Sequence, residues 1–214
     1  MTPLFAQSVD PIFLAALNLE SRIDNHAKII TADERNLLIQ KIEHAESRLG
    51  RSEDWMLAKY AICSWIDAKL IQSAWSDASW WKEYCLEEHF FGHRLADEEF
   101  FVRANQASSL PTKNALEVFF LAVVLGFRGI YQESDSFKRQ AFLNHSRLPH
   151  SIEAWCREAS KSLHLNSDRP RIPAELIVRG PNEPLLGKSN LLLFSIGSLF
   201  LIGISIVVYL SLFF

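Results

Sequence analysis

The 214-residue chain has little cysteine, no excess of positive charge and no stretch that reads as a β-strand. Its three cysteines, Cys63, Cys85 and Cys156, are odd in number and widely spaced. That excludes a disulfide scaffold and a paired-cysteine metal site, and fits reduced thiols in a reducing compartment. Lys and Arg number 22 against 25 Asp and Glu, a net charge of −3. The electrostatic footprint of a nucleic-acid binder is therefore missing. Apolar–polar alternation, Asn-Gly hairpin signals and internal repeats are also lacking. The N-terminus, MTPLFAQSVDPIF, has neither a basic start nor a long apolar run, so no secretory leader is expected.

Charge is absent again from the last 24 residues, Leu191 to Phe214, which read LLLFSIGSLFLIGISIVVYLSLFF. A helix of about 20 apolar residues spans a hydrocarbon core of roughly 30 Å, whereas apolar core helices are shorter. In lipid the helical form is forced, because every backbone N–H and C=O must be satisfied within the segment. The run is expected to be a membrane helix. Arg169, Arg171, Arg179 and Lys188 precede it and no charge follows it. Positive flanks stay cytoplasmic, so the preceding domain is expected in the cytoplasm, on a single-pass anchor. The expected organisation is a helical domain over 1–164, a juxtamembrane linker over 165–189 broken by Pro170, Pro173, Pro181 and Pro184, and a membrane helix over 190–214. Ser195, Ser198 and Ser205 offer that helix a close-packing face, which favours a homodimer or pairing with another membrane subunit.

What is present is helical periodicity, with 12% aromatic residues to fill a core. Pro11 suits the first turn of a helix running to about Asn25. Thr31-Ala-Asp-Glu34 has the form of a capping box opening a second helix, stopped at Gly50. Ser52 caps a third, apolar over a wide face and central to the core. Further helices are expected over Trp80–Phe91 with Gly92 as stop, Asp97–Gln106, Asn114–Leu125 with Thr112 as cap, Asp135–Asn144 and Ser151–Leu163. Gly126 and Gly129 bracket a turn. The fold class is all-α, with about seven to eight helices in the cytoplasmic domain.

Candidate chemistry is sparse. His89 and His93 stand one turn apart, a spacing that suits a metal, but no glutamate follows His89 as a zinc protease needs. Asp67 sits in the apolar third helix. It reads either as a catalytic acid or as a structural carboxylate bound to a neighbouring backbone or to Arg128. Gly126-Phe-Arg-Gly129 resembles a phosphate loop only superficially, since it follows a helix and opens none with Lys-Ser/Thr. Trp75, Trp80 and Trp81 are core residues, or docking anchors where exposed. No catalytic constellation, metal or cofactor is expected, and docking is the favoured activity over enzymology.

Three stretches carry a family resemblance. They are Tyr60-Ala-Ile-Cys-Ser-Trp-Ile-Asp67 with Trp75 eight residues on; Phe91-Gly92 with Glu98 and Phe100-Phe101; and Leu125-Gly126-Phe127-Arg128-Gly129-Ile130-Tyr131. Their order, spacing and helical setting, with the C-terminal anchor, resemble the TssL/DotU (IcmH-like) family, the inner-membrane subunit of type VI secretion systems with relatives in type IVB systems. The likeness covers roughly residues 10–145 and the membrane helix. It implies two small three-helix bundles and a non-enzymatic docking role, and that the membrane is the bacterial inner membrane. It further implies binding to a large TssM-like inner-membrane subunit, indirect linkage to a TssJ-like lipoprotein, and a cytoplasmic TssK-like baseplate partner. Asp67, Glu87, Glu88, Asp97 and Glu98 are the expected partner-binding residues. Tyr60, Trp75, Gly92, Phe100, Phe101, Gly126, Phe127, Gly129 and Tyr131 are the structural motif. The chain departs from the family pattern at Asp67-Ala68, where an acidic pair is usual, at Phe91-Gly92-His93 in place of His-Gly-Glu, and at Ala96-Asp97 in place of Gly-Gly. With the chain ending at Phe214, no peptidoglycan-binding domain is expected after the anchor. The rival readings are a type IVB stabilising subunit, a generic tail-anchored adaptor and a membrane-bound metal hydrolase using His89 and His93.

Overall fold

The computed structural model describes residues 1–165; the expected linker and membrane helix, with Leu191, Phe214 and the serine face, lie outside the described residues. Among the described residues the chain forms nine α-helices, one 3-10 turn and no strand. These are α1 (Pro3–Asp24), α2 (Thr31–Leu49), α3 (Glu53–Gln72), α4 (Ala78–Glu83), α5 (Leu86–Phe91), α6 (Ala96–Ser109), α7 (Asn114–Val124), the turn Gly129–Gln132, α8 (Ser136–His145) and α9 (Ile152–Leu165).

Helix α3 is the axis. Every residue from Leu57 to Asp67 is buried, as befits a helix apolar on all sides. Short loops bring α1 and α2 alongside it, while α6 and α7 pack on it and on each other. The two three-helix groupings implied by the resemblance thus share α3. Helix α9 lies against α7, with Trp155 and Ala159 buried. The second and third motifs meet in an aromatic core. Phe100 stacks on Phe127 at 3.9 Å and meets Phe119 edge-on at 4.8 Å. Phe101 meets Tyr131 at 4.7 Å and Trp155 at 5.2 Å. Residues 114–132 are long and apolar enough to cross a membrane by composition, but half of that stretch is buried in the domain and α7 ends at Val124. It is a core helix.

Several local expectations give way to longer-range contacts. Helix α1 starts at Pro3, not Pro11, which falls inside it. Pro11 has no N–H to offer the Gln7 carbonyl, and Arg48 Nη1 stands 3.5 Å from that oxygen instead. Thr31 caps nothing: its hydroxyl donates to Asp77, and Glu34 pairs with Arg22 at 2.6 Å rather than reaching back. Thr112 does not cap α7 either. Asp54 of α3 does so from across the fold, accepting from Ala115 N at 2.9 Å, Asn114 Nδ2 at 2.8 Å and Thr112 Oγ1 at 2.8 Å. Ser52 caps α3 as expected, accepting from Trp55 N at 3.2 Å. The helix expected over Trp80–Phe91 is two, broken at Tyr84-Cys85, which raises the helix count.

Near the start of α3, Glu46 accepts from Lys59 Nζ at 2.6 Å, Arg51 Nε at 2.8 Å and Trp55 Nε1 at 3.2 Å. Lys59 in particular, with Arg51 and Trp55, holds the Glu46 carboxyl down at about 2, from 4.5. A depressed native pKa means stability that is present above pH 4.5 and lost as pH falls toward 2. Glu46→Gln should therefore remove part of the acid-induced fall in melting temperature over that window, read by circular dichroism of the detergent-solubilised protein.

Candidate functional site

The site is built outward from the buried carboxylate of α3. Asp67 is 5% exposed. Its Oδ1 accepts from Trp81 Nε1 and Leu86 N, both at 2.9 Å, and its Oδ2 from Glu87 N at 2.8 Å. Those two backbone N–H groups open α5, so Asp67 caps that helix through space, and this capping splits the expected single helix. Burial pushes the Asp67 carboxyl up to about 6, against the pull of its three donors. Arg128 is not its partner, since the Arg128 guanidinium donates to the Val123 and Phe127 carbonyls at 2.9 Å. The structural reading of Asp67 holds, with backbone and indole as the partners.

Glu87 repeats the device one helix further on. It is 4% exposed, and its carboxylate accepts from Tyr60 Oη at 2.9 Å, Leu95 N at 2.8 Å and Ala96 N at 3.2 Å, with His93 Nδ1 at 3.2 Å. The last two backbone donors are the N-terminus of α6. Burial, then the Glu87 charge, pushes the Tyr60 phenol far up, so it stays a hydrogen-bond donor. The Arg103 guanidinium lies 3.9 Å over the Tyr60 ring and donates to Glu99 from Nε at 2.8 Å. Gly92 closes α5 at φ +74°, a left-handed position that turns the chain toward α6. Asp67 thus fixes α5, and Glu87 on α5 fixes α6.

The start of α6 walls a surface cleft of about 420 Å³. Asp97, Glu98, Glu133, Arg94 and Lys138 line it, with Gln72, Gly129, Ile130, Gln132 and Ser134. Asp97 and Glu98 are exposed. Although Asp97 is exposed, partial desolvation of its carboxyl, then the Glu133 and Glu98 charges, raises its pKa. Lys138 Nζ donates to Glu133 at 3.1 Å. A second cleft of about 580 Å³ lies on the next turns of α6, between Glu98, Glu99, Val102, Arg103 and Gln106 and the α8 side residues Phe142 and Ser146. In the wall of the first cleft Gly129 sits at φ +48°, where a Cβ would stand 2.9 Å from the Phe127 ring and 3.2 Å from the Asp97 carbonyl.

The five carboxylates expected at a partner surface are therefore divided. Asp97 and Glu98 share the cleft. Glu88 is exposed and paired with Arg94. Asp67 and Glu87 are spent on helix capping beneath it. Glu133, Lys138 and Arg94 belong to the cleft and were missed from the sequence; the signal available was Glu133 lying two residues past the third motif. The motif residues are structural: Tyr60 and Gly92 as described, Trp75 donating to the Leu70 carbonyl at 2.7 Å, Gly126 packed against Lys69, and Tyr131 donating to the Pro149 carbonyl at 2.8 Å. Trp81 is fully buried, whereas Trp80 is half-buried and lies on Tyr84 at 4.8 Å. His89 and His93 do not converge: His89 lies against Phe90 and His93 against Glu87. Among the described residues no group of three or more His, Cys, Asp and Glu is arranged to hold a metal.

The family described as type VI secretion system protein DotU matches residues 4–213. Three solved structures are similar. The cytoplasmic domain of TssL from Acinetobacter baumannii is 22% identical with a TM-score of 0.57, over 76% of this chain and 98% of that one. SciP/TssL of the type VI system of enteroaggregative Escherichia coli 042 is 20% identical with a TM-score of 0.54, over 82% and 98%. TssL from Vibrio cholerae is 19% identical with a TM-score of 0.56, over 76% and 97%. At these identities the likeness is one of fold. No curated protein matches.

Proposed function

Because the chain belongs to the DotU family of type VI secretion proteins, we propose that it is a non-enzymatic docking subunit that holds the baseplate to the inner membrane through the acid-lined cleft at the start of α6. The observation that carries this reading is the rigid placement of Asp97 and Glu98. Their helix begins on the Glu87 carboxylate, and α5, which carries Glu87, begins on Asp67. A preorganised acidic wall suits a basic or polar protein surface, because charge complementarity steers encounter and fixes register. The partners in this reading are a TssK-like baseplate subunit at the cleft and a TssM-like membrane subunit, with a TssJ-like lipoprotein beyond it. The single-pass anchor is residues 190–214, following the linker 165–189 and the domain 1–164. Tethering raises the effective concentration of weak contacts, and several copies add avidity.

Charge reversal tests it. Asp97→Lys with Glu98→Lys should cut recovery of the baseplate subunit on co-purification from native membranes by about tenfold, equivalent to about 1.4 kcal/mol. Recovery of the large membrane subunit and the melting temperature should hold. Unchanged recovery of the baseplate subunit would reject the cleft as the docking surface.

A further inference from the structure

The charge of this chain is unevenly divided. Residues 1–137 carry 13 Lys and Arg against 20 Asp and Glu, a net −7; residues 138–214 carry 9 against 5, a net +4. Within the described part, α8, α9 and the loop between them hold Lys138, Arg139, Arg147, Arg157 and Lys161 against Glu153 and Glu158. Lys138 lines the acidic cleft, whereas Arg139, Arg147, Arg157 and Lys161 are not among its lining residues.

Helix α9 shapes the basic end into a surface. Trp155 and Ala159 are buried, and α9 packs along α7. Arg157 and Lys161, one turn apart, are exposed on the opposite side. Arg147 is exposed in the loop that enters α9, and Arg128 is exposed just after α7. Glu153 on α9 lies near two of these cations, and its carboxyl is lowered by its own backbone and Ser151, then by Arg157 and Arg128.

We infer that this α9 face, centred on Arg157 and Lys161 with Arg128 and Arg147 at its edge, rests on the anionic phospholipid headgroups of the membrane that holds the chain. The inference deepens the docking reading and rests on its claim that residues 190–214 span the bilayer. Of all the described helices, α9 is the one joined directly to the 25 residues, 166–190, that lead to the uncharged run. Chain connectivity keeps it at high effective concentration over the lipid surface. An anionic leaflet attracts juxtamembrane Lys and Arg by roughly fivefold per charge, within about a Debye length. The same surface repels the acidic part. Contact through α9 would leave the Asp97–Glu98 cleft, which no α9 residue lines, free for the cytoplasmic partner.

The test uses the full chain in lipid nanodiscs, of phosphatidylcholine alone or with about one-third phosphatidylglycerol, and reads hydrogen exchange peptide by peptide. Residues 145–165 should exchange about fivefold more slowly in the anionic discs. The difference should vanish in 0.5 M salt and in Arg157→Glu/Lys161→Glu, but persist in Lys82→Glu, an exposed residue of α4. Equal exchange in the two lipids, with the chain in the discs, overturns the inference and leaves the span intact; the basic face would then serve an acidic protein. A chain that does not enter the discs overturns the spanning reading and the inference with it.

Discussion

Replacing Asp67 by alanine should lower the melting temperature of the detergent-solubilised protein by about 8–16 °C. The side chain is buried, and its removal leaves three donors facing an apolar void: Trp81 Nε1, Leu86 N and Glu87 N. A buried donor left without its acceptor costs about 1–3 kcal/mol, and partial relaxation brings the sum to about 4 kcal/mol. Asp67→Asn keeps one oxygen and the shape, but turns an amide N–H toward one of the donors, so it should cost about 1–3 kcal/mol. The two variants also separate the role of the charge. Burial raises the native carboxyl from 3.8 to about 6, so between those values the native state binds more protons than the unfolded chain. Stability therefore falls as pH rises from about 4 to about 6, and rises again on acidification. The wild-type protein should show this component of the pH dependence, and Asp67→Asn should lack it. The Glu46 contribution runs the other way and at lower pH, so a melting series from pH 7 to pH 3 resolves both. A melting temperature within 3 °C of wild type in Asp67→Ala would mean the α3–α5 junction does not depend on this carboxylate. Loss of baseplate binding by Asp67→Asn at unchanged stability would instead make Asp67 a contact residue.

The helical class, the central place of α3 and most helix ends were legible because they rest on local signals: apolar periodicity, Ser52 before an acidic first turn, and Gly50 and Gly92 as stops. The signals that misled were local too. Thr31 and Thr112 stand where a cap is usual, but Asp77 and Asp54, 46 and 58 residues away, engage their hydroxyls. The break at Tyr84-Cys85 has no local signal, because it is made by Asp67, 19 residues upstream of Leu86. The candidate site divided along the same line. The family resemblance groups Asp67, Glu87, Glu88, Asp97 and Glu98 at one partner surface, but only the fold shows which face inward. Of the carboxylates on the cleft, Glu133 joins from a different element and owes its place to the turn after Gly129.

That turn gives the second large effect. Phe127→Ala should cost about 3–5 kcal/mol, the usual range for emptying a buried aromatic site, and about 6–20 °C in melting temperature. The ring is 2% exposed, stacks on Phe100 at 3.9 Å, lies 6.2 Å from Phe101, and fills the space against which Gly129 is bent. Phe127→Leu should lose less, since most of the volume stays. The cleft makes the argument functional. Gly129, Ile130, Gln132, Glu133 and Ser134 line it directly after this ring, and the Asp97 carbonyl lies 3.2 Å from where a Gly129 Cβ would be. Without the ring the turn is free to settle toward Phe100, carrying Glu133 away from Asp97 and Glu98. Phe127→Leu at permissive temperature should therefore bind the baseplate subunit less well, although no charge has changed. Gly129→Ala approaches the same turn from the opposite side, with a Cβ 2.9 Å from the Phe127 ring at a backbone angle that favours glycine. If both variants weaken partner recovery while α3 and α5 keep their exchange protection, the cleft works as a shaped surface rather than as a loose group of acids. If Phe127→Leu binds as wild type does, the charges suffice and their exact spacing does not matter.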